Sequence, residues 1–220
     1  MKSRESSQNG SPVPNENTKS EDATEALHSG AAGLDGFGRL ETAVLGVGGR
    51  ALPPVEKWNP PYCGDIGLAI ARDGTWSYRG SPIRRMELVK LFASILRRDS
   101  DGRHYLVTPV EKVDVLVEDA PLIAVEMEVI GEGREQVLAM RTNLDDVKRI
   151  GNAHHLRFAP SDKDEIRPYV RVRGAIEALV TRAVTYELAE LITQNDAGRL
   201  GVWSDGYFFA LQHEASVDDA

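Results

Sequence analysis

The chain has 220 residues, 41% of them hydrophobic, which is room for one large domain or two small ones with a real core. A formal net charge of −8 argues against a general nucleic-acid binder, whose docking domain is usually net basic. The single cysteine, Cys63, excludes an internal disulfide and fits a reducing compartment.

Residues 1–33 are rich in Ser, Asn, Pro, Glu and Gly and lack apolar periodicity, so they read as a disordered tail. They contain no apolar signal core, and no run approaches the roughly 18 apolar residues of a membrane span. A cytoplasmic protein without a membrane span is expected. Residues 34–59 follow as a short, glycine-weakened helix (Leu34, Phe37, Leu40, Val44, Leu45) and a proline-rich arm, with Trp58 packed on the domain.

The first half-domain is expected over residues 60–103. Two strands meet at Asp73-Gly74, a pair suited to a hairpin turn. Ser81 and Pro82 then look like the N-cap and first residue of a helix, whose stripe is Leu88, Leu91, Phe92, Ile95 and Leu96. The second half-domain is expected over residues 104–213. "HYLVTPV", "VDVLVE", "LIAVEMEVI" and "EQVLAMR" read as strands, "TNLDDVKRIG" as holding one helical turn, and "IRPYVRVR" as a strand. A long helix is predicted from about Ala175 to Thr193, and a hairpin through Asp205-Gly206 closes the fold.

One phrase occurs twice. "YRGSPIRRMELVKLFASIL" (Tyr78 to Leu96) and "VRVRGAIEALVTRAVTYEL" (Val170 to Leu188) both run from a β-element through Arg-Gly into apolar residues at helical spacing. A helix with one apolar stripe needs a sheet to cover it. The expectation is therefore α+β: two small half-domains, each a curved antiparallel sheet packed with one amphipathic helix.

A set of motifs in order, "DGTWSYRGSPI", "LVKLF", "LRR", "LVTPVEKV", "VEDAP", "RTN", "PYVRVRG", "EALVTR" and "GVWS", resembles the proteobacterial domain-of-unknown-function family 1285 over roughly Leu52 to Leu211. The resemblance implies two domains with repeated motifs, a C-terminal domain like a pleckstrin-homology (PH) barrel, and a pocket between them for a nucleotide-like molecule in signal transduction. The motif residues here are Arg79, Gly80, Ser81, Pro82, Thr108, Pro109, Glu111, Lys112, Glu118, Asp119, Thr142, Asn143, Tyr169, Arg171 and Arg173. This chain departs from the family at Gly67-Leu68-Ala69, where an Asp-Met-Arg strand is usual, and at His155, where a proline is.

No constellation identifies a reaction. None of the five histidines pairs with another, or with Cys63, at a metal-ligand spacing. Cys63 has no base nearby in sequence, no G-x-S-x-G is present, and "GVGGR" at Gly46 lacks the strand and Lys-Ser/Thr of a phosphate loop. No catalytic residue, metal or cofactor is expected. Helix N-termini and arginine forks do suit anions. Arg79, Ser81, Lys112, Arg171 and Arg173 are therefore the expected contacts for an anionic or nucleotide-like small molecule at an inter-domain cleft. The competing reading of these charges is a salt-bridge network. The alternative function is a protein-interaction module with no small-molecule ligand; a third is an enzyme using Glu111 or Asp119.

Overall fold

The computed structural model describes residues 52–160 and 166–211. The tail expected over 1–33 and the helix expected from Leu34 lie outside the described residues. What is described is mostly β, with two α-helices and two six-stranded sheets, one of them curled into a half-barrel.

The first sheet is built from β1 (Leu68–Ile70), β2 (Trp76–Tyr78), β3 (Ser81–Pro82), β4 (Leu96–Arg98), β5 (His104–Val107) and β6 (Lys112–Val117), with helix α1 (Met86–Ser94) between β3 and β4. The second has β7 (Leu122–Ile130), β8 (Val137–Thr142), β9 (Val147–Arg149), β10 (Leu156–Pro160), β11 (Ile166–Arg173) and β12 (Ile176–Val180), followed by α2 (Arg182–Ala189). A small third sheet, β13 (Thr193–Gln194), β14 (Leu200–Ser204) and β15 (Tyr207–Ala210), closes the chain.

Neither large sheet is purely antiparallel, contrary to the sequence expectation. In the order β3-β2-β1-β6-β5-β4, β1 and β6 are parallel, with Leu68 opposite Val115. In the order β10-β11-β12-β7-β8-β9, β12 and β7 are parallel, with Ala178 opposite Leu122. Each sheet is thus two three-stranded meanders joined through their first and last strands. The expected boundary at 103/104 falls inside the first sheet, because β5 pairs with β4 on one side and β6 on the other. The change of sheet comes between Val117 and Leu122.

The repeated phrase has a different meaning from the one its spacing suggests. Both Arg-Gly pairs lie at hairpins, not at strand-to-helix junctions. Tyr78 pairs with Ser81 across Arg79-Gly80, at φ +47° and +79°, the left-handed pair a tight two-residue hairpin needs. Arg173 pairs with Ile176 across Gly174-Ala175, with Gly174 at φ +46°. Ser81 is therefore a strand residue and caps nothing; α1 starts five residues later with no side-chain cap. The predicted long helix from Ala175 divides likewise. Ile176, Ala178 and Val180 alternate inward as β12, and the helix begins only after Thr181, whose Oγ1 accepts from Val184 N. Ile-x-x-Leu-Val satisfies both periods, and sheet pairing decides between them. The two hairpins are also not equivalent: one joins the second and third strands of its sheet, the other the fifth and sixth.

α1 covers the first sheet with Leu88, Val89, Phe92 and Ala93, and the Phe92 ring lies 6.3 Å from that of the buried Trp76. The expected helical turn after Thr142 is a β-turn instead: Thr142 Oγ1 accepts from Leu144 N and Asp146 N, and the chain leaves as β9. Among the described residues no helix is long and apolar enough to cross a membrane.

Candidate functional site: the cleft between the two sheets

The five residues nominated from the sequence do not converge. Arg79 and Ser81 are exposed at the hairpin on edge strand β3, where the Arg79 guanidinium stands 5.1 Å from the centre of its neighbour Tyr78. Lys112 is spent within the first sheet: Nζ lies 3.0 Å from Asp99 Oδ2 and 4.3 Å from the Tyr105 ring centre. Arg171 is exposed on β11, and its carbonyl accepts from His154 Nδ1 at 3.0 Å. Arg173 is turned into the boundary between the sheets. It donates to Ala93 O at the end of α1 and, at 3.5 Å, to Leu96 O. Burial holds its guanidinium below the usual arginine range, against the opposing pull of Asp146 and Glu56. An arginine at a helix C-terminus satisfies carbonyls that have no partner within the helix. Arg173 therefore ties the second sheet to the first.

A cleft of about 210 Å³ lies on this boundary. The first sheet supplies Arg98, Gly102, His104 and Val117; the crossover supplies Asp119, Ala120 and Pro121; the second sheet supplies Arg157, Tyr169, Ala175 and Glu177. Strand pairing places Arg98 directly opposite His104.

The carboxylates in this cleft are engaged. Asp119 accepts from Tyr169 OH at 2.8 Å and Arg167 Nη1 at 3.1 Å, with Arg72 Nε 3.4 Å away. Glu177 takes Arg157 in a two-pronged pair, 2.7 Å at each oxygen. That pair raises Arg157 above its ordinary range and sets its guanidinium 4.2 Å from the Tyr169 ring centre. Burial, then the bond to Asp119, pushes the Tyr169 hydroxyl up from its ordinary value.

Arg98 is different. Its Nε donates to Gly102 O at 3.1 Å, and among the described residues no carboxylate pairs with it. His104 beside it is kept neutral: burial first, then the Arg98 charge, lowers its pKa to about 4, against the smaller opposing effect of Glu177. Among the described residues no group of His, Cys, Asp and Glu is placed to hold a metal. Among the described residues the cleft offers a guanidinium with no carboxylate partner and a neutral imidazole, beside an Arg157 laid over the Tyr169 ring.

A neutral histidine has a consequence for stability. The folded pKa lies near 4 and the ordinary value is 6.5, so on acidification the unfolded chain takes up the proton first. The contribution of neutral His104 is fully present above pH 6.5 and is lost as pH falls from there toward 4. The His104 C2 proton is expected to titrate near pH 4 by NMR. His104→Gln is expected to flatten the fall in urea midpoint across that window; a fall of unchanged slope would refute the assignment.

The motif Val117-Glu118-Asp119-Ala120-Pro121 reads in the sequence as a family motif with a turn, not as a change of sheet, and Arg157 and Tyr169 lie in recognisable motifs. Arg98 falls in the family motif "LRR", which does not mark it as a ligand contact, and His104 lies in no such motif. "LRR" reads as the end of a helix until α1 is seen to stop at Ser94.

The profile for the N-terminal domain of DUF1285, a domain of unknown function, matches residues 53–120, and that for the C-terminal domain of DUF1285 proteins matches 121–211. The chain belongs to the DUF1285 family. The junction of the two DUF1285 matches falls at Ala120-Pro121, on the crossover that lines the cleft. The crystal structure of a DUF1285 family protein from Silicibacter pomeroyi DSS-3 is similar at a TM-score of 0.73 and 46% identity, over 78% of this chain and 93% of that one. A DUF1285 family protein from Shewanella baltica OS155 is similar at a TM-score of 0.45 and 29% identity, over 57% of this chain and 91% of that one. No curated protein matches the chain.

Proposed function

We propose that this DUF1285 protein is a non-enzymatic, cytoplasmic regulatory protein that binds a small anionic, nucleotide-like molecule between its two domains, as part of signal transduction. The observation that carries the reading is Arg98: a guanidinium without a carboxylate partner among the described residues, in a cleft to which both sheets contribute. A guanidinium fork matches phosphate or carboxylate. Neutral His104 adds a hydrogen bond without adding charge, and Tyr169 with the stacked Arg157 offers a platform for a ring. Both cleft carboxylates are tied to arginines, which favours binding over acid–base chemistry. The cleft is smaller than the roughly 300–1,000 Å³ of a drug-sized site. It therefore suits the charged head of a ligand, with the remainder in solvent. The helix α2 following a curled sheet supports the PH-like reading of the C-terminal domain.

The test is a thermal-shift and calorimetry screen with inorganic phosphate, AMP and cyclic nucleotides, using Arg98→Ala as the control. A ligand at 100 times its Kd is expected to stabilise the wild type by about 2.7 kcal/mol, and the variant by far less. Binding of equal strength to Arg98→Ala, or of none of these anions to either protein, would reject the site.

A further inference from the structure

Two of the elements that wall the cleft also hold the N-terminal arm, and we infer that the arm and these walls form one cooperative unit, so that docking of the arm reports the state of the cleft. The functional side of this inference rests on the anion-binding reading above.

Strand β4 is the first shared element. Consecutive strand side chains point to opposite faces. Arg98 lines the cleft, whereas Arg97, only 9% exposed, turns to the arm and donates from Nη1 to Val55 O and Trp58 O, at 2.8 Å each. Asp99 fixes Arg97 from the other side, at 2.6 Å from Nε. The arm responds with a single 3-10 turn, Val55–Lys57, and a buried Val55. The β11–β12 hairpin is the second shared element. Ala175 and Glu177 face the cleft, and Arg173 grips the end of α1. Gly174 lies against the arm: a Cβ there would come within 2.7 Å of Glu56 Oε1. The Glu56 charge also acts on Arg173.

An anion on Arg98 restricts β4 and the hairpin from the front. The arm then docks on elements already ordered, which is positive coupling without a change of shape. Linkage makes the effect reciprocal for binding free energies.

Hydrogen exchange on the full chain decides both parts. In the free protein, Glu56→Ala is expected to speed exchange of the Lys57 and Trp58 amides, which are bonded within the arm's turn, and also of amides in β4 and Ala175–Glu177. Amides of β2 serve as the internal reference and should not change. Faster exchange confined to the arm overturns the inference, whether or not any ligand binds. In the wild type, saturating AMP or inorganic phosphate is expected to slow the Lys57 and Trp58 amides by roughly five-fold or more, the lower end of ordinary allosteric coupling. Glu56→Ala should weaken probe binding by a matching factor. Probe binding with unchanged arm exchange overturns the coupling and leaves the cleft site standing. Failure of both probes to bind rejects the cleft reading alone, since the free-protein comparison has already decided the cooperative unit.

Discussion

Phe92→Ala is expected to lower the free energy of unfolding by about 3–5 kcal/mol, the usual cost of emptying an aromatic site in a packed core. Phe92 is 0% exposed and sits where α1 meets the first sheet, beside a Trp76 that is itself only 2% exposed. The neighbours that would have to collapse into the space are strands held in register on both sides, so relaxation is limited. The effect should also spread. The last turn of α1 provides the carbonyl that Arg173 caps, so loosening the helix loosens the boundary between the domains. Urea unfolding should show a shifted midpoint at unchanged slope, in a single transition for both domains. A shift below about 1.5 kcal/mol, within the range of tolerated hydrophobic swaps, would contradict this packing. Separate transitions for the two domains would contradict the coupling through Arg173.

Asp119→Ala is expected to cost about 3 kcal/mol, the lower end for breaking a buried ion pair by removing one partner. The carboxylate side chain is 10% exposed and accepts from Tyr169 OH and Arg167. Without it, the Tyr169 hydroxyl loses its acceptor and Arg167 its counter-charge. Arg167 is 29% exposed, so water recovers part of the loss and keeps the cost off the upper end. Tyr169→Phe should cost less, about 1 kcal/mol for one hydrogen bond. In the double variant the two costs should fall short of additivity, because the same bond is removed twice. Strict additivity would show that Asp119 and Tyr169 do not interact.

Much of the architecture is legible in the sequence. The β-rich middle and the closing hairpin at Asp205-Gly206 follow from alternation and from turn residues, whereas the change of sheet at Glu118 to Pro121 does not, and the boundary is expected at 103/104 instead. What failed were junctions whose local signals favour two outcomes. Ser81-Pro82 is a good helix start and equally the far side of a two-residue hairpin, and Tyr78 to Ser81 pairing settles it. Ile176 to Val180 fits periods of 2 and 3.6 alike; burial between β11 and β7 selects the strand. Parallel pairing of β1 with β6 is invisible locally, since no short-range residue pattern names a distant partner. The cleft inherits these errors. With Arg173 assigned to a helix start, its role as a tie to α1 is hidden, and Arg98 looks like helix surface.

The parallel pairing at the centre of each large sheet has a consequence for synthesis. Leu68 cannot find its neighbour until Val115 has left the ribosome, and Leu122 must wait for Ala178. Until then each leading meander has an open inner edge, bare N–H and C=O groups that another nascent chain could template upon. Distant pairing of this kind also slows folding. Production of this protein should therefore respond strongly to slower translation and lower temperature, with losses during growth coming from half-made domains rather than from unfolding of finished ones.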